Sequence, residues 1–284
     1  MPIVYGWAQD DGASNAGPCH AVQSEDDMIN PIKAFAFGLS PEQMSELFSH
    51  YESGDFRYEL DSYEARKKPS DPTVSIHFFR LSRILRDMLF TCSSINFGLA
   101  MEKQSKALNG DFPGVYLYAL NQSMLTPLWK GAGMPYISVS HGSDHNYMFG
   151  GHFPEGKVSS ADQQLSEQFV KSFTNFAYTG SPRFDGDGGF QNWPSVGSGG
   201  SSILEEIPMQ VIGGPLGSGS CRVRTLEPDD LNPGENLLQE AIEENARYGG
   251  MKSRSEALRL QQLEREKLIR RCIFMNTLAE TLGA

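Results

Sequence analysis

Apolar residues recur along this chain in two rhythms, one short and continuous, the other helical. Ile3–Trp7 is a brief apolar run that gives way to Gln9, Asp10, Asp11 and Gly12, the pattern of a buried strand followed by a turn. Gly114–Leu120 reads as a second strand, rich in aromatic and branched residues. Met209–Ile212 reads as a third, ended by Gly213-Gly214-Pro215. Between them the period lengthens. Asp26–Gly38 and Pro41–Tyr51 are predicted helices, the second opened by Ser40-Pro41-Glu42, an N-cap followed by proline at the first helical position. Thr73–Gly98 is predicted as one long helical stretch, with Ile76, Phe79, Ile84, Met88 and Leu89 set among Arg80, Arg83, Arg86 and Asp87. Ser160–Thr179 is amphipathic, with Leu165, Phe169, Phe173 and Phe176 at helical spacing. A last helix is expected over 254–282. Gly186–Ser202 is rich in glycine and serine and predicts a surface loop. Residues 226–250 form a polar excursion.

Composition narrows the function classes. With 39% apolar residues over 284 positions, the chain has ample material for a core. Its net charge is −11, from 24 basic and 35 acidic residues. Such a chain repels phosphate backbones, which argues against a nucleic-acid partner. No run of about 18 apolar residues occurs, so no transmembrane helix is expected. No basic segment precedes an apolar stretch at the N-terminus. Cys19, Cys92, Cys221 and Cys272 form no Cys-x-x-Cys pair, which excludes zinc-ribbon and thioredoxin-like readings. Taken alone, four scattered cysteines read as buried free thiols.

The chemistry concentrates in Ser138–Gly150, where His141 stands directly before Gly142 and three residues before Asp144. His141, His145 and His152 recur closely enough to raise metal binding. The residues between the first two are Gly-Ser-Asp, and glycine disfavours the helix that would align them. His145 and His152 are therefore read as loop residues and no metal site is expected. Asp185-Gly186-Asp187-Gly188-Gly189 lacks the spacing and terminal Glu of a calcium loop and reads as a solvated turn. No Gly-x-Ser-x-Gly elbow occurs, and no His-Gly-Gly run for an oxyanion hole. Gly12-Ala13-Ser14-Asn15-Ala16 is the nearest approach to an elbow, but it overlaps the Asp11 turn. Ser198, Ser218 and Ser220 read as surface serines in glycine-rich loops.

Ser138–Gly150, with Phe173-Thr174-Asn175-Phe176-Ala177, Gly180-Ser181-Pro182, Trp193-Pro194 and the upstream Pro2–Gly12, resembles the C-terminal half of a type-B carboxylesterase. That α/β-hydrolase family includes cholinesterases and fungal lipases, and the fungal members are the nearer likeness. The resemblance implies an α/β fold, the C-terminal portion of an α/β-hydrolase with an incomplete sheet and many helices, formed as one domain over 1–284. It implies His141 as the catalytic base and Asp11 as the acid that orients it, each following a parallel strand at the carboxyl edge of the sheet. Asp11 has a second reading as a cap of the turn before Gly12. Family members usually carry Glu at the acid position, one methylene longer.

The remaining implications are of the same kind. Cys92 and Cys272 stand where secreted cholinesterase-like members have a disulfide. Asn121-Gln122-Ser123 is an acceptor sequon for glycosylation at Asn121. Cholinesterases carry aromatic residues after the acid turn to hold a quaternary ammonium. Here Ala13, Ser14 and Asn15 follow, so the expected substrate is a small-molecule or lipid ester. No cofactor is expected. The nucleophilic serine and oxyanion donors would belong to a missing first half, the chain being a fragment or a reading frame begun at an internal methionine. The compartment would follow from that half: secreted if it carries a signal peptide, cytoplasmic otherwise. The alternative is a non-catalytic cholinesterase-like binding or adhesion module.

Overall fold

The computed structural model describes residues 1–107, 114–149, 158–198, 206–214, 217–224 and 267–278. At its centre lies a four-stranded sheet of order β1-β2-β3-β4. β1 (Ile3–Ala8) and β2 (Val115–Leu120) pair in parallel, in register from Ile3 opposite Val115 to Ala8 opposite Leu120. β2 is also parallel to β3 (Glu206–Ile212), and β3 runs antiparallel to β4 (Gly219–Arg224). The third strand thus begins three residues before the apolar run that predicts it. Its hairpin partner β4, which contains Ser220, is a strand where a glycine-rich loop was expected.

Successive residues of β2 point to opposite faces, and every one is buried. Such two-sided burial is what a parallel sheet requires. Val115, Leu117 and Ala119 enter one core with Trp7, Ile207, Met209 and Val211. Against that face pack α1 (Asp26–Phe35), α2 (Pro41–His50), α3 (Arg57–Glu64), α4 (Ile76–Arg86) and α5 (Cys92–Ala107). Tyr116, Tyr118 and Leu120 enter a second core with Ala8 and Ile212. Past α6 (Thr126–Gly131), this other face is covered by α7 (Ser143–Met148) and α8 (Ser160–Thr179). The segment predicted as a surface loop over Gly186–Ser202 contributes here as well. Phe190 and Trp193 are buried in this core and Val196 in the first, and the Trp193 indole N–H donates to the Leu117 carbonyl at 3.1 Å.

Local signals account for several boundaries. Ser40 and Gln43 form a reciprocal capping box that starts α2 behind Pro41. The Ser159 hydroxyl caps α8, and Gly180, at φ 77, ends it. The predicted stretch Thr73–Gly98 starts instead at Ile76, after the Ser75 cap, and runs on to Ala107. It is not uniform. Asp87–Thr91 is a π-helical turn inserted between α4 and α5, a widened turn that a 3.6-residue period does not reveal. The Phe90 carbonyl in this turn accepts hydroxyls from Ser93 and Ser94 at 3.2 and 2.7 Å.

Of the expected helix over 254–282, the described part is α9 (Leu268–Thr277). Residues 226–250 lie outside the described residues. Cys92, directly after the π turn, is joined to Cys272 of α9 by a disulfide with Cα atoms 4.8 Å apart. Arg271, buried in the same helix, pairs with Asp55 at 2.9 Å, donates to the His50 carbonyl at 3.0 Å and lies over the Tyr51 ring. Burial holds the Arg271 pKa below its ordinary value, against the favourable influence of Tyr51, Asp87 and Asp55. Among the described residues β1 has one strand partner, β2, so its other side is a sheet edge.

The cross-link closes 180 positions of chain, a span for which loop entropy gives an upper-range effect. Replacing Cys92 and Cys272 together by serine is expected to lower the unfolding free energy by roughly 2–5 kcal/mol. Denaturant melts of wild-type and double-variant chain under non-oxidising and oxidising conditions measure this, and coincident midpoints in all of them would contradict it.

Candidate functional site

Asp11 and His141 lie 130 positions apart in sequence and meet beyond the carboxyl ends of β1 and β2. His141 Nδ1 and Asp11 Oδ1 are 2.8 Å apart. The other carboxylate oxygen, Oδ2, accepts the Ala8 backbone N–H at 2.9 Å. Asp11 therefore does both things that its position in the sequence allowed: it closes the turn after β1 and it holds the imidazole. The shorter aspartate reaches the ring without a gap. An ionised carboxylate can only accept, so Nδ1 carries the hydrogen and Nε2 keeps its lone pair. Among the described residues Nε2 has no hydrogen-bond partner. The His141 side chain is 60% exposed, whereas that of Asp11 is 6% exposed. The pair thus has a buried carboxylate end and an exposed imidazole end.

The backbone around the pair is fixed from several sides. Asp10 N–H donates to the Val139 carbonyl at 2.9 Å, and Val139 N–H donates back to Asp10 Oδ2 at 3.1 Å. This clamp holds the chain two residues before His141 against the turn after β1. Gly12 lies on the backbone of α4, where a Cβ would come within 2.1 Å of the Ser82 carbonyl oxygen and 2.4 Å of Arg86 N. Only glycine fits that approach. Gly142, at φ 75, turns the chain from His141 into α7 through the left-handed region, which explains the His-Gly order. Ser140 accepts the Trp129 indole N–H at 2.8 Å, and Ser143 and Ser123 share a hydroxyl bond of 2.8 Å.

Asp144 takes a different place from Asp11. It accepts the Tyr118 hydroxyl at 2.7 Å, which anchors α7 to the middle strand. Tyr118 lies across Gly6, its register partner, whose missing side chain leaves room for the ring. Burial, and then the Asp144 charge, push the Tyr118 phenol well above its ordinary pKa. Nearer the surface of the same layer, burial alone would raise Asp162 as well, but hydrogen bonds from Ser159, Tyr147 and Gln122 outweigh it and leave its pKa lowered.

Two contacts define the His141 side chain, and only one was legible. Phe90 of the π turn lies on the imidazole face, ring centroids 4.7 Å apart and planes inclined by 26°. In sequence Phe90 belongs to an apolar helical stretch; the only hint was the unbroken run Met88-Leu89-Phe90, which departs from helical alternation. Asp87, at the start of that turn, is fully buried and pairs with Arg86, whose guanidinium also reaches the Gln9 carbonyl at 3.5 Å.

The remaining predicted positions fall elsewhere. His145 is in α7 rather than in a loop, its ring 4.9 Å from Phe149. His152 lies outside the described residues. Among the described residues no cluster of His, Cys, Asp or Glu could hold a metal ion. Asp185 is exposed and pairs with Arg183. Asn121 sits half-buried at the end of β2, and Ser123 of its sequon accepts the Leu125 N–H at 3.1 Å. Ser14 is exposed in the turn after Gly12, and Ser218 accepts the Gly213 N–H at 3.0 Å. Cys19 is a buried free thiol. No helix among the described residues is long and apolar enough to cross a membrane.

Burial raises the Asp11 pKa, opposed by the Ala8 N–H and His141 and reinforced by the nearby Asp144 charge. A raised carboxylate means that folding favours the protonated form. The stability it contributes is present below the ordinary carboxylate range and is lost as pH rises through the raised midpoint. The Asp11 side-chain carboxyl carbon, followed by NMR, is expected to titrate above the ordinary carboxylate range and to shift downward in Asp144→Asn. A midpoint at or below that range would contradict this account of the site.

With this geometry in place, comparison with known proteins is informative. A model of the carboxylesterase family matches residues 6–211. Acetylcholinesterase 1 of Caenorhabditis elegans is 30% identical over 143 residues, 49% of this chain and 21% of that protein. A secreted lipase of Arthroderma benhamiae is 23% identical over 244 residues, 83% of this chain and 37% of the lipase. The crystal structure of Aspergillus niger EstA superposes with a TM-score of 0.61 at 14% identity, covering 100% of this chain and 41% of EstA. The chain thus spans well under half the length of each of these relatives.

Proposed function

The chain belongs to the carboxylesterase family, and on that premise we propose that it carries the acid–base half of a serine ester-hydrolase site, with His141 as general base and acid and Asp11 as its orienting carboxylate. The observation that carries the reading is the 2.8 Å Nδ1–Oδ1 bond, which leaves an exposed Nε2 free to act. In this scheme Nε2 takes the proton of a serine hydroxyl as its oxygen adds to the ester carbonyl. It then returns that proton to the departing alcohol, and a water molecule repeats the sequence to release the acid. Asp11 fixes the tautomer and offsets the charge of the imidazolium. The nucleophile and the oxyanion donors come from chain outside this sequence, which contains neither a Gly-x-Ser-x-Gly elbow nor a His-Gly-Gly run.

The proposed substrates are small-molecule or lipid carboxylic esters. Two things support this: the likeness to a secreted lipase and to an acetylcholinesterase, and Ala13, Ser14 and Asn15 after the acid turn in place of aromatic residues for a quaternary ammonium. The joint retention of His141 and Asp11 in bonded contact favours an enzyme over a binding module. A module that only adheres has no use for an oriented imidazole.

The purified chain is expected not to hydrolyse a short-chain nitrophenyl ester and not to be labelled by a serine-directed phosphonate. Turnover that disappears in His141→Ala and is blocked by the phosphonate would place a nucleophile within this sequence and overturn the division of labour. In an enzyme that joins this chain to a nucleophile-bearing segment, Asp11→Asn is expected to lower kcat by about 10⁴-fold, the scale seen when a triad acid loses its charge. A loss of tenfold or less would remove Asp11 from the orienting role.

A further inference from the structure

We infer that Phe90 is a positioning residue for His141: the π-helical turn Asp87–Thr91 presents its ring as a face-on support that holds the imidazole in the orientation Asp11 requires. The inference rests on the reading of His141 as the general base and names a group that the reaction scheme leaves out.

The Cβ–Cγ bond and the hydrogen bond to Nδ1 hold two atoms of the ring and leave it able to rock about the line between them. This matters because the His141 side chain is 60% exposed. Face contact at 4.7 Å and 26° removes this rocking, since tilting the imidazole would break either the stack or the bond to Asp11. The two constraints differ in kind: Asp11 holds a ring edge atom and Phe90 stacks on a ring face. An aromatic face also favours a cation above it, so the stack tightens when the imidazole is protonated.

The π turn supplies the placement. An extra residue in a helix shifts every later position by about 100° around the axis relative to an unbroken α-helix. Phe90 lies within this widened turn, with Asp87 buried at its start and Cys92 cross-linked just after its end. The anchors on either side keep the turn from relaxing to an ordinary helical one, which would carry the ring off His141. Contact on the ring face leaves the in-plane lone pair of Nε2, the atom that would meet a serine hydroxyl, unobstructed.

The test uses the chain as it stands, with the His141 ring followed by ¹⁵N-resolved NMR. In the wild type we expect one tautomer, hydrogen on Nδ1, with cross-relaxation between the Phe90 ring and the His141 ring protons. Phe90→Leu is expected to move the His141 ring protons downfield, by loss of the aromatic ring current, and to replace the single tautomer by an exchanging mixture. Phe90→Tyr keeps a ring in place and is expected to restore both signals. A role confined to packing would be served by leucine, so retention of the single tautomer in folded Phe90→Leu would overturn the inference. Should that variant fail to fold, absence of Phe90–His141 cross-relaxation in the wild type, or loss of the single tautomer in Phe90→Tyr, would overturn it equally. Failure of the underlying reading is separable: a wild type with no Nδ1–H tautomer, unchanged by Asp11→Asn, removes the Asp11–His141 pair itself.

Discussion

Asp87 is a carboxylate without solvent access, and the position of the whole site depends on how its charge is satisfied. It pairs with Arg86 and accepts the Tyr51 hydroxyl at 2.9 Å. Removing one member of such a buried pair costs about 3–5 kcal/mol, because the partner is left charged and unsolvated. These contacts fix Asp87 at the start of the π turn. The turn that follows widens, Phe90 projects toward His141, and Cys92 arrives opposite Cys272.

The same ionic cluster links the site to distant parts of the chain. Tyr51 bonds Asp87 with its hydroxyl and offers its ring to Arg271, and Arg271 reaches Asp55, which also pairs with Lys267. Burial, then the Asp87 charge, hold the Tyr51 phenol well above its ordinary pKa, so it stays a donor. Arg86, on the other side, extends to the Gln9 carbonyl beside Asp11. A polar chain thus runs from α9 through the end of α2 to the turn after β1. Because Tyr51, Arg86, Asp87 and Arg271 at its centre are buried, they act as a group rather than as independent surface pairs.

Much of this fold was legible where a physical requirement leaves a strong mark on sequence. A buried parallel strand must be apolar on both faces, and β2 is. A helix beginning with serine and proline announces its first turn, and α2 begins where Ser40-Pro41 places it. The family resemblance carried by His141-Gly142 and Asp10-Asp11-Gly12 led to both partners of the 2.8 Å bond. What escaped has no such mark. A π turn preserves helical composition while altering only the count of residues per turn, so Phe90 looked like any core aromatic. Phe190 and Trp193 are buried within a glycine-rich stretch because their neighbours, not their own period, take them inward. β4 pairs by backbone bonds that any sequence can make. The acid's second duty, at Ala8, was foreseen only as an alternative to the first.

The parallel pairing of β1 with β2 has a bearing on how the molecule is made. The side of β1 that pairs with β2 must wait for residue 115 before residue 3 meets its register partner. At ordinary rates of ribosomal synthesis that interval is on the order of ten seconds. During it the helices α1 to α5 can form from local contacts, but the platform beneath them cannot. The strand meanwhile carries Ile3, Val4, Tyr5 and Trp7 with the edge that will meet β2 still unpaired. Gly6 and the preceding Pro2 interrupt that run, and both are poor companions for intermolecular β-pairing. The glycine that makes room for Tyr118 in the finished sheet thereby also weakens the nascent strand as a template for aggregation.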